Sequence, residues 1–375
     1  MIRLFFETFP VLAWMLSLLT VVCPLRLRWR GAVALALVLL LASQKFVIYH
    51  LFGGDAFVPR LPELFVNATG WAYSSFMLLV LFSLLPPWKW WRPRAVVLAC
   101  LALALAGWGI WEGVRVPDVK RVELSVQGLP AAFDGLRLVQ LSDLHCSPAA
   151  RKARTQGIVD AVNALKPDLV CITGDFVDGS VGERADDLSP LRDLRARLGV
   201  FGCPGNHEYY SDYAAWRPVY ESFGVHMLDN AHVVFTNGSD RLVLGGVTDF
   251  AAADNRFGAR FSAPDVKQAF RGAPANTCRI LLQHRPIFER LNAGYGVRLQ
   301  LSGHTHGGAL LGFDLLVARM GNHGHVRGLY HFDDIDLYVN SGTGQWAGFP
   351  LRLGVPAEIT EFILHPASDE PTAKL

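Results

Sequence analysis

The sequence predicts an all-α membrane domain followed by an α/β domain. The chain has 375 residues and is 51% hydrophobic, which is more apolar than a soluble protein needs and long enough for two domains. The apolar excess is confined to the first third of the chain. From Leu136 onward, short apolar runs alternate with helical patterns. The apolar first third is suited to lipid, and the alternating pattern after it is suited to water.

The first third contains long stretches with few or no charged residues. Their lengths approach or reach the ~20 residues with which a helix crosses a bilayer. The second stretch contains Lys45 and His50. Because a charge is costly at mid-bilayer, the Lys45 side chain either reaches toward the membrane surface or faces the interior of the bundle, and we favour the first. We therefore predict a bundle of four transmembrane helices within residues 1–111, built on the stretches 8–25, 31–54, 64–88 and 95–111.

Two alternatives apply to individual stretches. The first stretch resembles a signal peptide in length, but its end at Val21, Val22, Cys23 and Pro24 lacks the small residues of a cleavage site. The fourth is short enough to be a buried core helix, although its length and its neighbours favour a membrane span. A role of the four spans in transport is disfavoured because Lys45 and His50 are their only basic side chains and they contain no acidic one. An anchor suits them better.

The charges in the connecting loops predict the orientation. The links that follow the first and third spans are basic, whereas the link after the second is not; the basic residues are Arg26, Arg28, Arg30, Lys89, Arg92 and Arg94. Because basic loops stay in the cytoplasm, everything after Trp111 is predicted to be extracytoplasmic. The expected location is the plasma membrane, or the inner membrane of a bacterium.

The part of the chain after residue 111 is slightly acidic. Residues 112–375 contain 26 Lys and Arg against 30 Asp and Glu, and they include no basic run with interleaved aromatic residues. Nucleic acid is therefore excluded as a partner. The lipid bilayer remains the partner that the sequence indicates.

We divide the second part into a linker with an edge strand (112–135), an α/β domain (136–366) and a polar, disordered tail (367–375). Alternating strands and helices are typical of a sheet core covered by helices. Helices are predicted near 151–165, 213–223 and 263–270. The predicted strands are 121–126 in the linker, then 136–141, 169–173, 200–202, 232–236, 241–247, 279–283, 299–301 and 335–340.

Five short strings of metal-compatible side chains follow these strands. They are SDLH (142–145), GDFVD (174–178), GNHE (205–208), QH (283–284) and GHTH (303–306). Asp, Asn and His bind hard or borderline divalent cations, and there are enough of them here for two ions. Ligand sites in α/β proteins collect beyond the carboxyl ends of strands. We therefore expect one shared site.

The spacing within the strings suggests how each side chain is used. Asp143 and His145 lie two residues apart, so on an extended strand end both would face one ion. The Asp175 carboxylate has two oxygens and can bridge two cations. His304 and His306 have the same spacing, but they lie in a loop flanked by glycines, where each can reach a different ion. Any single string arises readily by chance, and only their common order is informative.

Together, the strings resemble the pattern D-x-H, G-D-x-x-D, G-N-H-D/E, H, G-H-x-H of the calcineurin-like metallophosphoesterase superfamily. The resemblance covers residues 136–364, and the GHTHGG string with the later glycine-rich stretches is similar to the membrane-associated YkuE- and YaeI-type branch. It implies a four-layer αββα sandwich of two sheets flanked by helices. It also implies two divalent metal ions, Mn, Fe, Zn or Co with Mn favoured, whose ligands are Asp143, His145, Asp175, Asn206, His284, His304 and His306.

The resemblance further implies roles for the residues around the metals. One ion is held by Asp143, His145, Asp175 and His306, and the other by Asp175, Asn206, His284 and His304. A hydroxide between the two ions attacks phosphorus in line. His207 protonates or stabilises the leaving oxygen, and Asp178 orients His207. Glu208 is expected to bond the loop backbone without a catalytic role.

The leading hypothesis is a membrane-anchored phosphoesterase that hydrolyses a phosphodiester, pyrophosphate or phosphomonoester, including lipid-linked ones. The YaeI-type resemblance points to a UDP-2,3-diacylglucosamine pyrophosphatase-like lipid A precursor hydrolase. That substrate lies on the cytoplasmic face, in conflict with the predicted orientation, so we rank it second. A membrane sensor that binds metal or phosphate without turnover is the alternative from another class, although degenerate relatives usually lose a ligand and none is missing here.

Overall fold

The computed structural model describes residues 2–55, 57–85, 91–254, 261–319 and 322–367. The chain divides into two compact units. The first contains residues 1–115 together with two short segments from later in the chain, 147–150 and 345–353. The second contains the remaining residues. Lys89 and residues 368–375 of the predicted tail lie outside the described residues.

Helices are the regular elements in the described part of the first unit. Three of its helical segments are long and apolar enough to cross a membrane, namely Thr8–Leu25, Glu63–Ser83 and Pro93–Val114. The second predicted span is a pair of helices bent by 64°, so the count becomes four if this pair crosses as one span. The α-helices are α1 (Ile2–Ser17), α2 (Trp29–Ser43), α3 (Lys45–Leu51), α4 (Glu63–Ser83) and α5 (Trp91–Val114).

Lys45, at the bend between α2 and α3, does not extend toward a surface. Its side chain is fully buried, and its ammonium donates hydrogen bonds to the carbonyl oxygens of Ala347 and Gly348. The expectation that Lys45 reaches the membrane surface is therefore wrong. The reason is that two carbonyls from residues about 300 positions later solvate the charge within the unit. Three aromatic rings lie 5.3–5.6 Å from the ammonium, those of Phe46, Tyr49 and Tyr73.

The segment 345–353 packs closely on the helices of the first unit. A Cβ atom added to Gly109 would lie 2.6 Å from Leu351 Cδ1, and one added to Gly70 would lie 2.9 Å from Pro350 Cγ. The backbone N–H of Arg352 donates to the Gly109 carbonyl oxygen at 3.0 Å. Glycine at these two helix positions therefore provides the room that the segment occupies.

The second unit is an α/β fold with two mixed sheets. Its helices are α6 (Lys152–Ala164), α7 (Val181–Leu188), α8 (Asn206–Tyr210), α9 (Tyr213–Ser222), α10 (Val266–Ala269), α11 (Glu289–Ala293) and α12 (Asp314–Ala318). Its strands are β1 (Val119–Val126), β2 (Leu136–Leu141), β3 (Leu169–Thr173), β4 (Gly199–Cys203), β5 (Val225–Met227), β6 (Ala231–Asn237), β7 (Asp240–Gly246), β8 (Cys278–Leu282), β9 (Val297–Ser302), β10 (Gly328–His331), β11 (Asp336–Val339) and β12 (Ile359–Pro366).

Each sheet has six strands. The first has the order β1-β12-β2-β3-β4-β5, and the second has the order β10-β11-β9-β8-β7-β6. Strands β2 to β5 run parallel in the first sheet, as do β7, β8, β9 and β11 in the second. The antiparallel pairs are β12 with β2, β6 with β7 and β10 with β11. The carboxyl ends of the parallel strands in each sheet therefore lie along one edge of that sheet.

Buried side chains form a core on both faces of each sheet. One cluster joins the two sheets and includes Leu138, Phe201, Leu244 and Leu299. A second lies between the first sheet and helices α6, α7 and α9, where Val159, Leu188 and Trp216 are buried. A third packs α10 against the second sheet through Val243 and Ala269. Of the apolar side chains at helical spacing in the predicted helix 151–165, Ile158, Val159 and Val162 belong to the second cluster, and Leu165 is partly buried against it.

The sequence missed several elements of this unit. The predicted helices and strands all have counterparts, although α10 covers only part of 263–270. Strands β5, β10 and β12 were not expected, nor were α7, α8, α11 and α12. Strand β12 matters most, because it lies inside the first sheet between β1 and β2.

Candidate metal centre

The five strings follow five strands, as the sequence predicts. Asp143 and His145 come after β2, Asp175 and Asp178 after β3, and Asn206 opens α8 after β4. The second sheet supplies His284 after β8 and both His304 and His306 after β9. The structure brings all of these side chains together at the carboxyl ends of the strands. Five of the seven residues proposed as ligands are buried, and His304 and His306 are partly buried.

The backbone at these residues is not extended. Positive φ angles occur at five of the seven, between 43° at His145 and 73° at His304; the other three are Asp143, Asp175 and His306. The expectation that Asp143 and His145 share an extended strand end is therefore wrong. Both residues lie in a left-handed turn, which is uncommon for residues other than glycine and costs of order 1–3 kcal/mol each. Backbone hydrogen bonds hold the turn, from Asp143 N–H to Gly174 O at 2.9 Å and from His145 N–H to Asp175 O at 3.0 Å.

Asp143, His145 and His306 form the first group of side chains that can hold a cation. The Nε2 atoms of His145 and His306 are 3.0 Å apart. His306 Nε2 lies 3.6 Å from Asp143 Oδ1. The Asp143 carboxylate also accepts hydrogen bonds from the His304 N–H at 3.0 Å and from the Ser142 hydroxyl at 2.6 Å, which fix its orientation.

Asp175, His284 and His304 form the second group. Asp175 Oδ2 lies 3.2 Å from His284 Nε2, and His304 Nδ1 lies 3.1 Å from the same nitrogen. The His284 Nδ1 donates to the Thr173 carbonyl oxygen at 2.7 Å, so in the neutral ring Nε2 has the lone pair. Asp175 Oδ2 is also 3.7 Å from His145 Nε2 of the first group. The Asp175 carboxylate therefore lies between the two groups.

These residues fit two divalent cations. Imidazole nitrogens face each other at 3.0 and 3.1 Å with carboxylate oxygens beside them, an arrangement of lone pairs that a cation would stabilise. Asn206 Oδ1 is buried and accepts no hydrogen bond from any described residue. A buried acceptor without a donor is costly, and coordination to a cation would satisfy it. Oxygen and nitrogen ligands without a thiolate suit the metals predicted from the sequence.

His207 contacts Asp178 at the edge of this centre. Its Nδ1 lies 2.6 Å from Asp178 Oδ1, which also bonds His145 Nδ1 at 3.1 Å. Burial lowers the pKa of the His207 imidazole, but the neighbouring Asp175 and Asp178 carboxylates outweigh this effect and raise the pKa to about 9. In the metal-free site His207 is therefore protonated at neutral pH. The distances also place His207 in a group with His145 and Asp175, so proximity alone does not exclude it as a ligand.

Glu208 joins the loops that carry the site. Its buried carboxylate accepts hydrogen bonds from the backbone N–H groups of Gly205 at 2.7 Å, Asp175 at 2.8 Å and Phe176 at 2.8 Å. Burial and the Asp175 carboxylate raise the pKa of Glu208 to about 7. Glu208 thus bonds the loop backbone, as expected from the sequence.

Asp249 is a residue of this region that the sequence analysis did not single out. Its buried carboxylate accepts two hydrogen bonds from the Arg285 guanidinium, at 2.7 and 3.1 Å, and so fixes the side chain next to His284. Asp249 follows the buried strand β7 by three residues. The other site residues were recognised as polar residues just beyond a buried strand. The same criterion applied to β7 identifies Asp249.

Comparison with known proteins agrees with this geometry. The profile of the calcineurin-like phosphoesterase family matches residues 136–308. A zebrafish protein (Danio rerio) named as a transmembrane protein with metallophosphoesterase domain is 36% identical over 282 residues, which cover 73% of this chain and 63% of that protein. A metallophosphoesterase of Helicobacter pylori is 35% identical and covers 70% of this chain and 69% of its own length.

YkuE of Bacillus subtilis, also named a metallophosphoesterase, is 31% identical over 63% of this chain and 81% of its own length. The present chain spans just under two thirds of the zebrafish and bovine relatives, 63% in each case. The match to the bacterial relatives extends over most of their length. The residues matched by the family profile, 136–308, include the strands and loops that build the site. The chain therefore belongs to the calcineurin-like metallophosphoesterase family.

Proposed function

We propose that this protein is a membrane-anchored, dinuclear metal-dependent phosphoesterase, a four-layer sandwich preceded by four transmembrane helices. Its substrates would be phosphodiesters, pyrophosphates or phosphomonoesters, including lipid-linked ones. The observation that supports this proposal most strongly is the pair of ligand groups with Asp175 between them. Two such groups form a compact clamp suited to a phosphate, whereas a purely structural metal site needs only one.

We assign one cation to Asp143, His145, Asp175 and His306, and the other to Asp175, Asn206, His284 and His304. When bound, two cations here would lower the pKa of a water molecule between them and neutralise charge on the phosphate. Asp143 is held by the His304 N–H and the Ser142 hydroxyl. The His284 ring is held by the Thr173 carbonyl. The chain thus orients its ligands before any metal binds.

Proton transfer to the leaving group is assigned to His207. Its imidazole is buried beside the ligands, and the Asp178 carboxylate favours its protonated form, so it can donate a proton to the departing oxygen. Asp178 keeps the ring in place through the 2.6 Å contact with Nδ1, which leaves Nε2 as the donor. A protein that only sensed metal or phosphate would not need the pair formed by His207 and Asp178. We therefore favour catalysis over sensing.

The lipid A precursor hydrolase stays the second candidate for the substrate. It would require the second unit to face the cytoplasm, which contradicts the charge pattern of the loops. A generic phosphodiester or phospholipid headgroup on the outer face agrees with that pattern. We propose the outer face as the site of action.

The test uses the full chain in detergent or nanodiscs, stripped of metal and then loaded with Mn²⁺, Fe²⁺, Co²⁺ or Zn²⁺. We expect two metal equivalents per chain by elemental analysis and hydrolysis of bis-p-nitrophenyl phosphate that depends on the metal. Asp175→Ala should lose both metal and activity, since this residue lies between the two groups. Two bound metals without hydrolysis of any phosphoester in a panel that includes lipid extracts would favour the sensor instead.

A further inference from the structure

The second unit has an exposed apolar loop directly after its last predicted metal ligands. Eight large apolar side chains are exposed among the described residues of this unit, and four of them lie within residues 311–316. Their exposed fractions are 67% for Leu311, 41% for Phe313, 65% for Leu315 and 47% for Leu316. Single exposed apolar residues are ordinary, but four within six positions mark an interaction surface. We call residues 311–316, a turn followed by the first three residues of α12, the apolar loop.

The charges around the apolar loop are compensated or lie at its rim. Asp314 is the one charged residue between positions 307 and 318, and its carboxylate pairs with Arg327 at 3.0 Å. Arg327 also donates to the Gly307 carbonyl oxygen at 2.7 Å. Arg319, which ends this stretch, is exposed and donates to the Leu315 carbonyl oxygen. An apolar tip with a basic residue at its edge suits a lipid surface, where the tip enters the acyl region and arginine meets anionic headgroups.

The segment between α5 and β1 is short, and its length indicates which apolar surface the apolar loop can reach. Helix α5, the last that is apolar enough to cross a membrane, ends at Val114, and β1 begins at Val119. Four residues therefore separate them, a reach of at most roughly 14 Å when fully extended. The link thus keeps the start of β1 within that reach of the end of α5. The bilayer that contains α5 is therefore the apolar partner that we assign to the apolar loop.

We propose that the apolar loop inserts into the lipid surface. The loop begins five residues after His306, so the same stretch of chain joins the metal centre to the bilayer. This contact does not depend on the reaction. Its consequence for the substrate, that a phosphoester at headgroup level is brought to the metals, rests on the proposed function.

A fluorescent probe in the full chain tests the contact. Leu315→Cys is labelled with an environment-sensitive dye in a background of Cys23→Ser and Cys100→Ser, because the other four cysteines are buried. In vesicles of phosphatidylglycerol and phosphatidylcholine, we expect a blue-shifted emission and strong quenching by lipids with a nitroxide on the acyl chain. The matched control is Ser239→Cys, in the exposed turn between β6 and β7, which should show neither effect.

Equal quenching at positions 315 and 239 would overturn the proposal. So would a probe at 315 that is shielded from water but not quenched by the lipid nitroxide, because a protein surface would then cover the loop. Leu316→Cys provides a second labelling position if the first variant unfolds, as judged by its thermal transition. These outcomes are read without any measurement of activity.

Activity measurements test the consequence for the substrate separately from the labelling experiment. We expect Leu315→Glu to lower the ratio of vesicle-borne phosphodiester hydrolysis to bis-p-nitrophenyl phosphate hydrolysis several-fold. An unchanged ratio would contradict the inference that the apolar loop brings the substrate to the metals. If the wild-type protein hydrolyses neither substrate, the proposed function fails, whereas the probe still decides whether the loop enters the lipid.

Discussion

At the scale of single residues, the site combines strained backbone with buried polar side chains. Five proposed ligands have positive φ angles, and the carboxylates of Asp143, Asp175 and Glu208 each accept backbone N–H groups from other loops. These bonds offset the strain and hold the ligands in place without a metal. A site built this way is preorganised, so residues that bind metal and residues that move protons should separate cleanly in mutants.

His207→Ala is expected to lower kcat by about 10²- to 10⁴-fold, the usual contribution of a general acid, while two metals stay bound. The reason is that Asp178 fixes His207 as the proton donor, and the ligand groups are complete without it. The measurement is kcat together with elemental analysis on the same preparation. If metal is lost in proportion to activity, His207 is a ligand and the assigned role is wrong.

Glu208→Gln is expected to destabilise the second unit by roughly 2–4 kcal/mol, because an amide N–H₂ replaces one of the two oxygens that accept hydrogen bonds from three backbone N–H groups. Thermal unfolding of the full chain in one detergent measures the change. Glu221→Gln, on the outer side of α9, is the matched control and should shift the free energy of unfolding by less than about 0.5 kcal/mol. Equal shifts for both variants would contradict the role of Glu208.

At the scale of elements, strand β12 ties the beginning of the second unit to its end. It pairs with β1 in parallel and with β2 in antiparallel register. Its Glu361 is fully buried and bonds Arg121 of β1 at 2.7 Å and Arg137 of β2 at 2.6 Å. One carboxylate thus joins three strands. The ion pairs have one buried and one partly exposed partner, so solvent screens them in part.

Glu361→Gln tests this junction through the pH dependence of stability. Burial raises the pKa of Glu361, but the two arginines outweigh it and hold the pKa below its usual value. A carboxylate with a depressed pKa stabilises the fold above the unfolded pKa of about 4.3, and this contribution is lost as the pH falls through the folded pKa. We expect Glu361→Gln to cost about 1–2 kcal/mol at pH 7 and the difference to shrink below about pH 4.

The measurement is thermal or denaturant unfolding of both proteins between pH 3.5 and 8, a range chosen around that unfolded pKa of about 4.3. Glu123→Gln is the control, since this β1 carboxylate is 70% exposed and its contact with His365 is 3.9 Å. It should leave the free energy of unfolding nearly unchanged at every pH. A constant difference between wild type and Glu361→Gln across the range would show that charge is not what Glu361 contributes.

At the scale of the whole molecule, the number of membrane crossings decides on which side the second unit works. The basic links at Arg26, Arg28 and Arg30 and around Arg94 place it outside if four spans cross. The bent pair of α2 and α3 is the element on which this depends. If that pair enters and leaves on one side, three crossings remain and the two ends of the bundle lie on opposite faces.

Reporter fusions after residue 367 in a bacterial host measure the outcome. We expect an alkaline phosphatase fusion to be active and a green fluorescent protein fusion to be dark, because the first requires export and the second requires the cytoplasm. A fusion truncated after Arg60, in the link between the second and third spans, should give the same result. A fluorescent green fluorescent protein fusion after residue 367 would place the second unit in the cytoplasm. The lipid A precursor would then become the favoured candidate substrate.

The strands that carry the strings were predictable because their signal is local. Short buried runs such as 136–141 and 169–173 end at polar residues, and the structure ends the strands there as well. Strand β12 gave no such signal, since Glu361 interrupts its apolar run and its partners lie more than 200 residues away. The burial of Lys45 was hidden for the same reason, because the carbonyls that receive its hydrogen bonds belong to residues 347 and 348.

The sequence by itself determined which side chains form the candidate centre, the α/β class of the domain and the apolar helices that precede it. These follow from residue type and local periodicity, which any window of the chain contains. The tertiary structure decided the left-handed turn at Asp143 and His145, the bond from Asp178 to both His145 and His207, and the exposed apolar loop. Each of these depends on what distant segments donate, accept or leave uncovered, and the linear order of residues does not contain that information.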